Sequence, residues 1–397
     1  MPVLPATPIV KINLTQGASF GTIMVLGTGQ LGFAELATTV PNIVDVSASV
    51  LKISTRKERN LLQDKYLAAQ STVRIVDPNG DWNPQNTASP YYPYLQPLRK
   101  IQIQANYGGT LYPIFAGYIT EYQYTYPKNQ ETGYVDLICY DAFRLFFNSN
   151  VTTVTGAVAG EDTGTRVGRI LSMIGWSNSQ RSIMTGNTTC QADPGNLRSV
   201  LQAIQTAEFT EQGAFYIDKA GNAIFKSRQF VYDAQSKSPV VFNQTGTGIN
   251  YFNIQFSHDD KTIVNSCTAT RIGGTAQNYQ DATSIAAFFT HAVTADNLIM
   301  QTDANALSLA TAYVQTRKDT TIRIDAITLD LVTLGYGSGV AAALGLDYFD
   351  TMQITNEQPG TSAITKTLQC QGIAHDITPN SWLTTLTTQE PLLDVMY

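Results

Sequence analysis

Residues Val73–Glu121 read VRIVDPNGDWNPQNTASPYYPYLQPLRKIQIQANYGGTLYPIFAGYITE. Apolar and polar side chains alternate in Val73–Val76 and again in Ile101–Ala105, and a period of two is typical of half-buried strands, not of helices. The first segment is followed by a tight turn at Asp77–Gly80, where a proline fixes φ and the glycine accepts a positive φ. This stretch therefore predicts antiparallel β-strands.

The segment Pro84–Pro97 contains four prolines, and each lacks the amide proton that a central strand needs. We therefore expect an ordered excursion over the protein surface. Its tyrosines, Tyr91, Tyr92 and Tyr94, have two interpretations. They pin the loop to its own domain, which we favour, or they stack on sugar or on a partner chain.

The composition is that of a globular protein with few charges. The chain has 397 residues, enough for two or three domains, and 43% of them are hydrophobic. Only 14% are charged, against roughly 25% in ordinary soluble domains. This balance suits a β-rich assembly protein, and a net charge of -6 argues against a protein that coats nucleic acid.

Cysteines and histidines are few and widely spaced. No C-x-x-C pair occurs, so neither a zinc site nor a disulfide framework is expected. Each histidine is expected to be an ordinary surface or core residue. The residues are Cys139, Cys190, Cys267, Cys370, His258, His291 and His375.

Targeting signals are not evident. The N-terminus shows no basic segment followed by an apolar run, and no apolar stretch of 18 residues occurs that could span a bilayer. We therefore expect synthesis in a cytoplasm, with no secretion signal and no membrane span.

Residues 1–149 are predicted to form an all-β domain. Short strands separated by turns indicate a barrel or a sandwich. The predicted strands are Ile9–Leu14, Thr22–Leu26, Val44–Ser54, Val73–Val76, Ile101–Tyr107, Ile114–Tyr126 and Tyr134–Tyr140.

Residues 150–235 are predicted to form a small α+β insert. Thr163 is a candidate cap for a helix with the apolar stripe Val167, Ile170, Leu171 and Ile174. A second helix is predicted to open at Asp193 with Pro194 in its first turn. Its stripe comprises Leu197, Val200, Leu201 and Ile204, and a β-hairpin over Gly213–Arg228 follows.

Residues 236–397 return to a strand pattern and are predicted to form a second β-barrel domain with one helix, around Ala306–Tyr313. The predicted strands are Ile254–Phe256, Ile263–Arg271, Thr321–Leu331, Thr351–Ile354 and Thr365–Ile373.

Several of these motifs together resemble the minor tail proteins of long-tailed bacteriophages of actinobacteria. The features are the run Ser89–Tyr92 before a basic strand, the Gly108–Gly109 hairpin, and the opening strand Asp45–Ser54. The helix, helix, hairpin order agrees with that family. The stretch Ile373–Leu386, with its H-x-I-x-P-x-x-W-x-T-x-L pattern, is similar to the closing pair of strands in that family. The family usually has Gly-Arg where this chain has Glu58–Arg59.

The resemblance implies a mainly β fold with an α+β insert: two tail-tube-like β-barrel domains plus a small helix-hairpin module. It further implies a structural virion protein, the baseplate hub at the tip of a siphophage tail. Three chains would supply six barrels and match a threefold tip to a sixfold tube. The implied partners are the distal tail protein ring, the C-terminus of the tape measure protein and further tip or fibre proteins, with DNA passing through the lumen without specific binding.

Gly27–Gly32 matches the dinucleotide-binding pattern G-x-G-x-x-G. That site requires a long helix that returns to a parallel strand. Only a few residues separate Gly32 from Val40–Asn42, too few for such a crossover. We therefore interpret this segment as a hairpin turn.

Alternating oxygen side chains at Asp77, Asn79, Asp81 and Asn83 are similar to a calcium loop. The calcium loop also requires a glycine at its sixth position and a glutamate at its twelfth. This chain has Trp82 and Ala88 there, which favours a simple turn.

Three carboxylate pairs are candidates for glycosidase acids, but none has a recognisable catalytic context. They are Glu161 with Asp162, Asp259 with Asp260, and Asp347 with Asp350. No G-x-S-x-G, P-loop or H-E-x-x-H motif occurs. We therefore predict no enzyme activity, no catalytic residue, no cofactor and no metal. The alternatives are a distal-tail or receptor-binding protein that contacts host-surface glycan, and a cell-wall hydrolase.

Overall fold

The computed structural model describes residues 4–15, 42–60, 64–127, 132–245, 247–332 and 337–390. The predicted strand Thr22–Leu26 and the glycine-rich segment Gly27–Gly32 lie outside these ranges. In the described part the chain is mainly β, with large antiparallel sheets and a smaller α+β region.

The N-terminal strands follow the predicted pattern. Buried and less buried residues alternate along β5, β6 and β8, which gives each strand one face in the core. The strands are β1 Thr7–Asn13, β2 Ile43–Asp45, β3 Val50–Asn60, β4 Lys65–Tyr66, β5 Gln70–Val76, β6 Arg99–Tyr107, β7 Thr110–Thr125 and β8 Tyr134–Tyr140.

One bent segment closes this sheet into a barrel. The strands are ordered β3, β5, β8, β7, β6, β1, β2. Strand β2 pairs with β1, and a 3-10 turn at Ser47–Ser49 then carries the chain into β3, which pairs with β5. The single predicted strand Val44–Ser54 is therefore two strands, because its two ends pair at opposite edges of the sheet.

A helical region follows β8. Its elements are α1 Phe143–Asn148, β9 Asn150–Val151, α2 Thr163–Met173, β10 Arg181–Ile183, β11 Arg198–Ser199, α3 Val200–Glu211, β12 Ala214–Ile217, β13 Ala223–Lys226 and α4 Arg228–Asp233. The predicted hairpin is confirmed, since β12 and β13 pair antiparallel. Phe143 and Phe215 stack in the core of this region with ring centroids 5.6 Å apart.

The two predicted helix starts in this region were wrong. Asp162, not Thr163, caps α2, and its carboxylate accepts a hydrogen bond from the Thr165 amide at 2.9 Å. Helix α3 begins at Val200, with Ser199 as its cap, and not at Asp193.

Asp193 is engaged elsewhere in the module. Its carboxylate accepts a hydrogen bond from the Val154 amide at 3.0 Å and forms an ion pair with Arg198. Gly195 then has a φ of +70°, which is not helical. Leu197 lies before the helix and is 72% exposed, so it is not part of the core stripe.

The C-terminal elements are β14 Val240–Asn243, β15 Asn253–Ser257, β16 Ser266–Arg271, β17 Gln277–Gln280, α5 Ala282–Phe288, β18 Ala292–Leu298, α6 Asp303–Gln315, β19 Arg323–Asp330, α7 Gly337–Gly345, β20 Thr351–Asn356, β21 Ile364–Thr378 and β22 Ser381–Gln389. The predicted helix is α6, and the structure adds α5 and α7. Both were missed because they are short and lack a charged, amphipathic pattern.

A second barrel is built from the C-terminal strands. Strands β14, β20, β21, β22, β19 and β15 pair in that order, and β14 and β15, the two ends of this order, are consecutive strands of the chain. The predicted closing pair is present as the β21–β22 hairpin.

The two barrels share one continuous hydrogen-bonded ladder. Strand β21 pairs with β3 from Gly372 opposite Glu58 to Ile377 opposite Ile53. Buried apolar residues of both barrels form one contiguous cluster. The barrels are therefore held in a fixed relation by main-chain hydrogen bonds, not by a flexible linker.

A small third unit consists of the sheet β17, β16, β18 with α6 packed on it. Asp64 ties it to the first barrel, because its carboxylate lies between the guanidinium groups of Arg59 and Arg317, the latter at 2.9 Å. This unit was not separated from the second barrel in the sequence-based prediction.

Candidate functional site

The loop after β5 is organised by the buried carboxylate of Asp77. It accepts hydrogen bonds from the amides of Asp81 at 2.7 Å and Trp82 at 3.2 Å, and from the hydroxyl of Tyr126 at 2.8 Å. These donors occupy the carboxylate oxygens. In the motif that is similar to a calcium loop, Asp77 therefore acts as a hydrogen-bond acceptor that shapes the turn. Asn83 likewise accepts a hydrogen bond from the Gln85 amide at 2.9 Å.

The three loop tyrosines differ in their burial and contacts. Tyr91 packs on the buried indole of Trp82, with ring centroids 4.8 Å apart, and so pins the loop to its own barrel. Tyr92 and Tyr94 are 45% and 44% exposed. Arg99, the first residue of β6, is buried, and its Nε atom donates a hydrogen bond to the Tyr94 carbonyl at 2.9 Å. This bond fixes the main chain at the end of the loop.

We call Tyr92 and Tyr94 together the tyrosine surface. The sequence between Trp82 and Leu98 contains no charged residue. The surface therefore offers half-exposed aromatic rings among amide and hydroxyl groups, on a loop whose backbone is held in place.

The candidate carboxylate pairs all take part in ion pairs or helix caps. Glu161 is buried between Arg166 and Arg169, and its neighbour Asp162 caps α2. Asp259 pairs with Arg323 at 2.9 Å. In the third pair, Asp347 binds Lys57, and its amide donates to Asp350 at 2.8 Å.

Glu211 has a structural role that sequence reasoning did not assign. Its fully buried carboxylate accepts hydrogen bonds from the amides of Asn187 at 2.9 Å, Thr188 at 2.8 Å and Arg228 at 3.1 Å. The Thr163 hydroxyl donates a fourth at 2.8 Å. A negative charge in the last turn of a helix interacts unfavourably with the helix dipole. The position of Glu211 at the end of a helix was therefore the one sequence feature that could have indicated a special role.

The helical region is locked between the two barrels by the tip of the β12–β13 hairpin. The buried ammonium group of Lys219 donates to the carbonyls of Leu344 at 2.8 Å and Leu346 at 2.7 Å, at the C-terminal end of α7. A positive charge there complements the helix dipole. Gly221 has a φ of +92° and lies so close to Ala116 of β7 that a Cβ would be 3.2 Å from the Ala116 Cβ.

A second cation lies beside this lock. The ammonium group of Lys57 is 2.8 Å from the Asp347 carboxylate and 4.2 Å from the centre of the Tyr348 ring. Burial alone would raise the pKa of Asp347, but Lys57 and Lys219 outweigh it and hold that pKa below its usual value. At the junction between the barrels and the hairpin, each of the two lysine ammonium groups therefore has a partner: the Asp347 carboxylate for Lys57, and two backbone carbonyls for Lys219.

Two other buried carboxyl groups have raised pKa values. Burial raises the pKa of Glu208 to about 8, although the Phe215 amide and Arg59 act in the opposite direction. Burial also raises the pKa of Asp141 to about 7, against the amides of Ala69 and Phe143. Both groups favour the protonated form inside the fold.

We expect thermal stability to fall as pH rises from about 6.5 to about 8. Glu208 and Asp141 keep protons in the folded state that the unfolded chain has lost, so their contribution is full below about pH 4 and disappears as pH rises through their folded pKa values. Burial lowers the pKa of His375 to about 3. Unfolding therefore lets this histidine take up a proton only below about pH 6.5, where it lowers stability and opposes the effect of the two carboxyl groups. For this reason the expected fall in stability applies to the range above about pH 6.5.

Thermal melts of the wild type and Glu208→Gln across this pH range measure the effect. The variant cannot ionise at this position, so its melting temperature should depend less steeply on pH. Parallel pH profiles for the two proteins would show that Glu208 does not titrate as described.

The remaining sequence candidates are dispersed. The four cysteines are buried free thiols, and burial raises the pKa of Cys190 and of Cys370 to about 12. His375 is a core residue, whereas His258 is exposed. Within the ranges that the structure describes, no group of three His, Cys, Asp or Glu residues is arranged to hold a metal ion, and no helix is long and apolar enough to cross a membrane.

Two solved tail proteins share the overall fold. A tail protein from Neisseria meningitidis MC58 matches with a TM-score of 0.56 at 11% identity, over 97% of this chain and 96% of that chain. The 43 kDa tail protein of prophage MuSo2 from Shewanella oneidensis matches with a TM-score of 0.54 at 11% identity, over 89% of this chain and 97% of that chain. No family model and no curated protein sequence matches this chain. The predicted fold class is confirmed.

Proposed function

We propose that this chain is a structural virion protein, the baseplate hub at the tip of a long non-contractile bacteriophage tail of the actinobacteriophage type. The observation that carries the proposal is the β3–β21 ladder, which fixes two barrels in one chain. Three such chains present six barrels, and a threefold tip then matches a sixfold tail tube. The role is structural, not catalytic.

In this hub the N-terminal barrel (1–149) and the second barrel, which lies within residues 236–397, form the ring, and the insert (150–235) braces them through Lys219. The ring meets the distal tail protein and the C-terminus of the tape measure protein, and further tip or fibre proteins attach below. The net charge of -6 lets DNA pass through the lumen without specific binding. The protein is made in the host cytoplasm and resides in the virion.

Light scattering on the purified protein, with negative-stain averaging, tests the hub. We expect a mass three times the 43.3 kDa of one chain and a ring with a central channel. A compact monomer at all concentrations would contradict self-assembly into the hub.

A second candidate function rests on the tyrosine surface, because exposed aromatic rings among neutral polar groups suit the faces of sugar rings. In this alternative the protein contacts host-surface glycan. Binding of host cell-wall polysaccharide should be lost on Tyr92→Ala with Tyr94→Ala. Tyr232→Ala is the matched control, since Tyr232 is a 37% exposed tyrosine outside this loop, and it should bind as the wild type does. Unchanged binding by the double variant would exclude this function.

A further inference from the structure

Phe289 is presented to solvent in an unusual backbone conformation. It follows α5 with φ of 62° and ψ of -178°, a region occupied almost entirely by glycine. Its side chain is 85% exposed, so no burial of the ring offsets the strain. Strained residues persist where the surrounding structure enforces them, and they concentrate at functional positions.

The enforcing group is the side-chain amide of Asn265, which is fully buried beneath the loop. Its nitrogen donates to the Phe289 carbonyl at 2.7 Å and to the Ser284 hydroxyl at 3.2 Å. Its oxygen accepts from the His291 amide at 2.7 Å. The amide thus holds both sides of Phe289, and the loop projects the ring outward.

The surroundings of Phe289 are uncharged. Residues 282–295 contain no Lys, Arg, Asp or Glu, and Ala286, Ala287 and Ala292, which are near Phe289 in the chain, are exposed. Strand β18 begins at Ala292 and, among the described strands, pairs only with β16, so it forms one edge of its sheet. Folded proteins usually protect an edge with charge or cover it, and exposed apolar patches mark contacts with partners.

We infer that Phe289 anchors a contact between two copies of this chain, an inference that rests on the hub proposed above. Chains that each carry a net charge of -6 repel one another, and an uncharged contact avoids adding to that repulsion. A closed ring uses a head-to-tail contact, in which one surface meets a different surface of the next copy. The helical region exposes other apolar side chains, Phe147 and Leu197, suited to such a contact.

Phe289→Gly tests the inference, because glycine keeps the fold while it removes the ring and relieves the backbone strain. Sedimentation velocity should show self-association weakened by about tenfold or more, while the melting temperature of the dissociated monomer stays the same or rises. Phe252→Ser is the matched control, since Phe252 is 65% exposed outside this segment, and it should associate as the wild type does.

Hydrogen exchange gives an independent readout, with residues 285–293 protected in the assembled wild type and not in the dilute monomer. If the wild type is a trimer and Phe289→Gly associates just as tightly, Phe289 is not an anchor of the contact. That result would contradict this inference without contradicting the proposed hub. A wild type that is monomeric at every concentration would overturn the hub's self-assembly and the anchor with it.

Discussion

Glu211→Ala is expected to lower the free energy of unfolding by about 4 kcal/mol and to loosen the helical region first. The substitution leaves the amides of Asn187, Thr188 and Arg228 without the acceptor that each now uses. A buried donor left unsatisfied costs about 1–3 kcal/mol, and losses in one network are not simply additive. Urea denaturation gives the total loss, and hydrogen exchange shows where the structure opens.

Two comparisons sharpen this experiment. Glu211→Gln keeps one acceptor oxygen and should lose less than Glu211→Ala. Glu121→Ala removes an exposed carboxylate and should change stability by no more than about 0.5 kcal/mol. A loss below about 1 kcal/mol for Glu211→Ala would mean that this carboxylate does not organise the region.

Trp382→Ala is expected to destabilise the second barrel by about 3–5 kcal/mol, the range for truncating a fully buried tryptophan. The Trp382 side chain is inaccessible to solvent, and its indole nitrogen donates to the Nδ1 atom of His375 at 3.3 Å. The substitution therefore leaves a cavity in the β21–β22 hairpin and removes a hydrogen bond from the core.

Thermal and urea unfolding monitored by circular dichroism measure this loss. Trp176→Ala is the comparison, because Trp176 is only partly buried and donates to a carbonyl, that of Gln180, at 2.9 Å. Its loss should be smaller. An equal or greater loss for Trp176→Ala would show that the closing hairpin is not the better packed site.

Local patterns in the sequence predicted the elements whose partners lie nearby in the chain. Strands such as Tyr134–Tyr140 were predicted correctly because one face of a strand must be apolar when the other meets solvent. The hairpin within Gly213–Arg228 was predicted correctly because its turn residues lie next in the chain to the two strands that they join. The predicted start of α3 was wrong. Asp193 is a residue type that often caps helices, but its carboxylate pairs with Arg198 and accepts a hydrogen bond from the Val154 amide.

The candidate site was predicted less well than the fold. The proline-rich loop was recognised, but the division between Tyr91, which is anchored, and Tyr92 and Tyr94, which are exposed, depends on the buried Trp82. The strain at Phe289 was not foreseen, since it is imposed by Asn265, 24 residues earlier in the chain.

Composition and periodicity were thus sufficient to identify a mainly β chain with a helix-hairpin insert, because burial of one face is a property of each segment alone. Barrel closure, the β3–β21 ladder and the Lys219 lock required the folded chain. Lys219 reaches carbonyls 125 and 127 residues away, and backbone carbonyls carry no sequence signature. Long-range main-chain pairing uses amide and carbonyl groups that almost every residue carries, so the pairing partners of a strand emerge only when the segments pack together.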